Sequence, residues 1–150
     1  MNLDLTKRAD YAIRAMLALA QAGEDERLSV RRIAADQDIP SQFLRRIMSD
    51  LVRAGLIHSV AGRSGGYLLA RPATSVSILD VIEAVEGDGG GRTCVLRGGP
   101  CGVSGECRVH LAFSTSRDGF MAGLAGASFA DLVARGTPSG AASTGAAAGD

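Results

Sequence analysis

The sequence predicts a mainly α fold: a winged helix-turn-helix with a small two-stranded wing, followed by a long C-terminal helix. Three observations predict it. Two short amphipathic segments, around Val30–Ala34 and Phe43–Leu51, are joined by a tight polar turn. A glycine-rich basic turn, Gly62-Arg63-Ser64-Gly65-Gly66, lies between two short apolar runs directly after the second of these segments. Helical patterning then resumes and continues to about residue 134. This order separates a winged helix from any small helical domain that also holds a hairpin.

Residues 5–22 read as the first helix. Thr6 is a candidate N-cap, Ile13, Leu17 and Ala20 recur at helical spacing, and Gly23 stops the run. A polar turn over residues 24–27 follows. Ser29 caps a second helix carrying Val30, Ile33 and Ala34, and Asp36-Gln37-Asp38 breaks it. The third helix begins at Pro40, with Ser41 as a second cap candidate, and Gly55 ends it. Its expected apolar stripe is Phe43, Leu44, Ile47 and Leu51. The opposite face shows Gln42, Arg45, Arg46, Ser49 and Arg53. Residues 56–60 and 67–69 read as the two strands of the wing, with Pro72 limiting the second.

Residues 77–86 form a further helix, with Ser77 and Asp80 at capping-box spacing and Leu79, Val81, Ile82 and Val85 apolar. Eight glycines then fall within residues 87–105, so that stretch packs no core of its own. Residues 108–124 are helical again, weakened by Gly119 and Gly123. Ser128 and Asp131 open a short helix reaching Ala134. From Gly136 onward the chain is dominated by Gly, Ala, Ser and Thr, and reads as a disordered tail. The divisions are therefore 1–86 for the winged helix, 87–107 for a Gly/Cys-rich loop, 108–135 for the terminal helices and 136–150 for the tail.

The 150 residues suit one domain, and 46% apolar content supports a core built from aliphatic residues, since aromatics are only 4%. No run approaches the ~18 apolar residues of a membrane span. The apolar stretch 15–20 follows Asp4, Asp10 and Arg14, which is unlike a signal peptide, so a cytoplasmic location is expected. Sixteen cations balance sixteen anions, but unevenly: residues 1–75 carry eleven against eight, and residues 76–150 five against eight. Within residues 27–71 the excess is eight against three, a basic middle suited to a polyanion. Fifteen of the sixteen cations are Arg, which suits bidentate phosphate and guanine contacts, although a coding bias gives the same composition. No Ser–His or Cys–His set has an orienting third group, and no phosphate-binding G-x-x-x-x-G-K-[ST] occurs. An enzyme is not expected, and His58 reads as a hairpin residue.

All three cysteines, Cys94, Cys101 and Cys107, fall within fourteen residues, and His110 follows in the pattern C-x6-C-x5-C-x2-H. Thiols concentrated in a glycine-rich loop of a cytosolic chain point to a metal site rather than disulfides. The spacing is wider than the usual C-x2-4-C of zinc, and an iron–sulfur cluster tolerates such loops. A structural Cys3His zinc site and a metal-free thiol redox switch are the alternatives.

Four stretches resemble the Rrf2 family of bacterial winged-helix repressors: LTKRADYAIRAML, IPSQFLRRIMSDLVRAGLI, VAGRSGGYLLARPA, and the cysteine trio followed by a helix and SFADLV. They span roughly residues 3–134 and resemble the iron–sulfur members of IscR-like and NsrR-like type. The resemblance implies a regulator controlled by a cluster that senses redox state, nitric oxide or iron–sulfur supply. It implies a homodimer on a pseudo-palindromic double-stranded operator. Its dimerisation helix is the 108–124 segment, with Phe113, Phe120, Met121 and Leu124 as apolar candidates. Packing of these residues against the first helix is the ordinary alternative. The implied ligands are Cys94, Cys101 and Cys107 with His110 as the favoured fourth, in a 2Fe–2S cluster. Asp10, contributed by the partner's first helix, is the alternative and goes with 4Fe–4S.

The implied DNA contacts are Gln42, Arg45 and Arg46 on base edges, with Arg31, Arg32 and Arg53 on phosphates. Two departures from the family pattern stand out. The first cysteine gap is one residue longer than in the IscR type. The wing begins VAG rather than VRG, so Arg63 takes the place of the minor-groove arginine that Ala61 cannot supply. A winged helix that binds protein rather than DNA, and an electron carrier using the cysteine loop, remain as competing classes.

Overall fold

Among the described residues, the six helices and two strands follow one another in the order the sequence predicts, and a 3-10 turn that it did not predict is added after the wing. The computed structural model describes residues 5–87 and 109–136. Helix α1 spans Lys7–Ala22, α2 Val30–Gln37 and α3 Ser41–Arg53. Strands β1 (Ile57–Val60) and β2 (Gly66–Leu69) form the wing, and a 3-10 turn at Ala73–Ser75 leads into α4 (Ile78–Glu86). Helices α5 (His110–Gly126) and α6 (Phe129–Ala134) complete the described chain. Apart from Gly87 and Gly136, the expected loop 87–107 and tail 136–150 lie outside the described residues.

Side-chain caps start four helices. Thr6, Ser29, Ser77 and Ser128 each accept a hydrogen bond at 3.1 Å, from the backbone N–H of Ala9, Arg32, Asp80 and Asp131 respectively. At α4 the box is closed, because the Asp80 carboxylate also accepts from the Ser77 N–H at 2.8 Å. Helix α3 departs from expectation: its N-cap is Pro40, with no side-chain cap, and Ser41 is already its first residue. Helix α2 runs through Gln37 instead of breaking at Asp36. It ends where Asp38 takes a left-handed conformation (φ 51, ψ 52), which Asp tolerates better than most residues.

The core gathers Ala12, Ala15, Met16 and Leu19 of α1 with Ile33 of α2, Leu44, Ile47, Met48 and Leu51 of α3, Val81 and Val85 of α4 and Phe129 of α6. Two expected stripes are corrected. On α1 the buried face is Ala9, Ala12, Ala15, Met16 and Leu19, while Ile13, Leu17 and Ala20 are half-buried. The reason is geometric: α1 is packed on by α2, α3, α4 and α6, so small alanines set the closest approach. On α3, Met48 belongs to the buried face, whereas Phe43 is 52% exposed. At 100° per residue Phe43 sits on the flank of the stripe centred on Leu44, Ile47, Met48 and Leu51, outside the reach of α1 and α4.

The wing is antiparallel, with Ile57 opposite Leu69 and Val60 opposite Gly66. A third segment joins it: Leu28, just before α2, exchanges backbone hydrogen bonds with Tyr67 at 3.0 and 2.8 Å. A matching short bridge ties α6 back to α4. Ile78 N–H donates to the Ala127 carbonyl at 3.0 Å and Phe129 N–H to the Val76 carbonyl at 2.9 Å. This seats Phe129 in the core at 0% exposure. Among the described residues, no helix is long and apolar enough to cross a membrane.

Candidate nucleic-acid interface

Helix α3 is amphipathic, and burying its apolar face turns its polar face outward. Gln42, Arg45, Arg46, Ser49 and Arg53 are all exposed, as are Arg31 and Arg32 on α2 and Arg63 on the wing. Every cation expected at a nucleic-acid surface is therefore reachable by solvent, and their pairing states differ. Arg31, Arg45, Arg46 and Arg63 form no ion pair among the described residues. Arg32 pairs with Glu26 at 2.7 Å and Asp36 at 3.7 Å, and Arg53 with Asp50 at 3.2 Å. The unpaired arginines at the start of α3 and on the wing tip are thus the ones that offer an unneutralised charge to an anion. Arg32 and Arg53 exchange a carboxylate for a phosphate when they contact one.

The wing tip is shaped by glycine where no other residue fits. A Cβ on Gly65 would lie 2.3 Å from the Val60 carbonyl oxygen and 2.8 Å from that of Gly62. Gly65 N–H donates to the Gly62 carbonyl at 3.0 Å, closing the turn beneath Arg63. Arg27 reaches the Ser64 carbonyl at 3.5 Å, bracing the wing from the α1–α2 connection.

Asp50 links α3 to α1. Its carboxylate, only 13% exposed, receives Arg8 from α1 as well as Arg53. On α1, Arg14 holds the Asp10 carboxylate at 2.6 Å, donates to the Gln37 carbonyl at 2.8 Å and lies 5.1 Å from the Tyr11 ring centroid. Sequence reasoning missed Arg8, Arg14, Arg27 and Asp50. The i,i+4 spacing of Asp10 and Arg14 and the i,i+3 spacing of Asp50 and Arg53 are readable signals; the Arg8–Asp50, Arg14–Gln37 and Arg27–Ser64 contacts span the fold and leave none.

Of the expected cluster ligands, Cys94, Cys101 and Cys107 lie outside the described residues. His110 is the first residue of α5 and is half-buried, and Asp10 is half-buried in its pair with Arg14. Among the described residues, no group of three or more His, Cys, Asp or Glu is arranged to hold a metal ion. On α5 no residue is buried; Leu111, Phe113 and Phe120 are exposed, while Met121 and Leu124 are half-buried. Phe113, Phe120 and Leu124 fall on one face at i, i+7 and i+11, and Leu111, 74% exposed, stands off it.

Comparison with known proteins places this arrangement. The family model Rrf2, described as an iron-dependent transcriptional regulator, matches residues 5–135. The chain belongs to the Rrf2 family. It is 32% identical over 129 residues to the HTH-type transcriptional regulator IscR of Escherichia coli, covering 86% of this chain and 79% of that one. It is 43% identical over 83 residues to a chain of Mycobacterium tuberculosis named as an HTH-type transcriptional regulator. That match covers 55% of this chain and 52% of the relative, so the chain spans about half the length of the M. tuberculosis relative. Among solved structures, T. potens IscR superposes with a TM-score of 0.75 at 25% identity, covering 91% of this chain and 90% of that one. The B. subtilis cysteine regulator CymR superposes at 0.79 and 22% identity, covering 91% and 100%, which shows the fold. The chain thus has the fold of the Rrf2 family, and the relatives named here are transcriptional regulators rather than enzymes.

Proposed function

We propose that this Rrf2 protein acts as a dimeric repressor, reading a pseudo-palindromic operator through α3 and the wing, with its occupancy set by an iron–sulfur cluster. One observation carries the DNA part. The first turns of α3 present Gln42, Arg45 and Arg46 to solvent, with neither arginine neutralised by an ion pair among the described residues. The start of a recognition helix is where base edges are met, Gln pairing with adenine and Arg with guanine. Arg63 on the wing suits a narrow minor groove, and Arg31, Arg32 and Arg53 suit phosphates. A second copy covering the Phe113, Phe120 and Leu124 face of α5, with Met121 beside it, makes the dimer.

The donor chemistry supports the cluster part. Three thiols and an imidazole within seventeen residues suit iron, and thiolates suit an iron–sulfur cluster above all. Cys94, Cys101, Cys107 and His110 would hold a 2Fe–2S cluster. Asp10, paired with Arg14 at 2.6 Å, is the alternative fourth ligand and goes with 4Fe–4S. When bound, the cluster supplies a centre that responds to oxidants, nitric oxide or iron supply. The protein's own part is mechanical. The 87–107 segment joins α4, which packs on α1 and α3, to α5, so a change in its arrangement alters how two reading heads are spaced.

The test is anaerobic purification with iron and sulfide analysis, followed by binding to a selected operator duplex across a salt series. Stoichiometric iron and sulfide, with holo and apo forms differing at least about tenfold in affinity (about 1.4 kcal/mol), supports the proposal. Zinc or metal-free protein, or equal affinities of the two forms, overturns the cluster part and leaves the DNA part standing. Loss of cluster spectra in His110→Ala but not Asp10→Ala assigns the fourth ligand.

A further inference from the structure

We propose that Phe43 is a specificity-determining residue of α3 that reads the C5-methyl group of a thymine in each operator half-site. The inference rests on the reading that α3 enters the major groove, and adds to it a base that no hydrogen-bonding side chain on the helix recognises.

Phe43 is the third residue of α3 and is 52% exposed. The core does not use it, because α3 fills its inner face with Leu44, Ile47, Met48 and Leu51. Among the described residues of the first half, the other exposed large apolar ones are Leu5, before α1, and Val52, smaller and in the last turn of α3. A phenyl group is thus held in water at the end of the helix that also presents Gln42 and Arg46. Arg46 lies one turn beyond Phe43, on the outward side, and Gln42 immediately before it.

The charge around it decides the occupant. Arg45 and Arg46 are exposed and form no ion pair among the described residues, and Arg63 adds a third such cation on the wing. A second copy of this surface would bring like charges together, whereas a polyanionic duplex complements them. Within a major groove, the thymine C5-methyl is the apolar group that projects furthest from the base edges, and Phe packs against it. The apolar group on this cationic helix start and the apolar group of the groove are therefore matched. Burying one methyl corresponds to roughly 0.8 kcal/mol, or about a fourfold change in affinity.

The test uses the full chain and a 30-base-pair operator duplex chosen by it from a random-sequence library (the length is on the order of three helical turns). Each thymidine is replaced in turn by deoxyuridine, which removes the methyl and keeps the pairing edge. One thymine per half-site is expected to lose about fourfold in affinity when demethylated, and Phe43→Ala is expected to abolish that loss while Phe43→Leu keeps part of it. Phe43→Gln serves as a second variant, with circular dichroism confirming that each is folded. If no demethylation couples to Phe43 while Arg46→Ala still weakens operator binding, this proposal fails and the DNA reading stands. If neither Phe43→Ala nor Arg46→Ala changes binding, the α3 reading fails with it. A change of oligomeric state in Phe43→Ala, with an unchanged deoxyuridine profile, shows that Phe43 serves a protein contact and overturns the proposal.

Discussion

Arg14 on the first helix donates a hydrogen bond of 2.8 Å to the backbone carbonyl of Gln37, the last residue of α2. The last carbonyls of a helix have no partner within it, so this contact satisfies one of them and pins the turn that precedes α3. The same guanidinium holds Asp10 and stacks on Tyr11, while its Nε is buried with no hydrogen-bond partner among the described residues.

Arg14→Ala is expected to lower stability by roughly 1–2 kcal/mol, the usual size for charge-assisted hydrogen bonds that are partly exposed. Arg14→Lys should recover only part of this, because an ammonium cannot serve two acceptors in the planar fork that Arg provides. Urea denaturation of the three proteins checks this. Equal midpoints would show that Arg14 does not clamp α1 to α2.

The unpaired and paired arginines should behave differently on DNA. Arg46→Ala is expected to cost about 1–3 kcal/mol on the operator and to relax preference at one base position. Arg53→Ala, which gives up an ion pair with Asp50 in the free protein, should weaken binding to all sequences modestly and lower the salt slope by about one. Fluorescence anisotropy on operator and scrambled duplexes between low and moderate salt separates the two. Identical slopes and identical specificity loss would contradict the division.

Gly65 and Gly62 lie in the same turn and should differ in sensitivity for different reasons. Gly65→Ala places a Cβ 2.3 Å from the Val60 carbonyl oxygen, a backbone atom that cannot move without opening the wing. A loss of about 2 kcal/mol or more is expected. Gly62 has open space around it but φ 108, so Gly62→Ala meets backbone strain alone, roughly 1–2 kcal/mol. Thermal unfolding should order the proteins wild type, Gly62→Ala, Gly65→Ala; the reverse order would refute the contact argument.

Asp131 titrates below its ordinary value, chiefly because its carboxylate accepts the Ser128 hydroxyl hydrogen bond at 2.6 Å. A lowered carboxylate stabilises the fold above the ordinary value and loses that effect as pH falls through the folded value. The stability gap between wild type and Asp131→Asn should therefore be constant near neutrality and close at acid pH, below the ordinary 3.8. The group is exposed, so the gap is small and screened by salt. Thermal melts across an acid series measure it; a gap that widened on acidification would reverse the sign.

Much of the fold was legible. Thr6, Ser29, Ser77 and Ser128 announced their helices because a cap is a contact within four residues, and local spacing carries it. The wing was legible from glycines that a tight hairpin demands. The exposed cations of α3 were legible because the apolar stripe of an amphipathic helix names its opposite face. Phe43 was misplaced because its spacing fits the stripe, while its flank position leaves it beyond the neighbouring helices. The buried face of α1 was misplaced because alanines carry a weak hydrophobic signal, yet mark the closest helix packing.

By itself the sequence determined the order and type of the elements, the wing, the basic middle of the chain and the family to which those motifs belong. Each rests on interactions between residues a few positions apart, so the order of residue types is enough. Only the tertiary structure decided which charges are free. It paired Arg8 with Asp50, Arg14 with the Gln37 carbonyl and Arg32 with Glu26. It left Arg45 and Arg46 without ion pairs among the described residues and Phe43 in solvent. It also fastened α6 to α4 through Val76, Ile78, Ala127 and Phe129. Contacts such as Arg8–Asp50 and Val76–Phe129 join residues more than forty positions apart, and no local periodicity encodes them. They exist because packing of the apolar faces brings those elements together, and the polar groups at the margins then take whichever partners that packing leaves within reach.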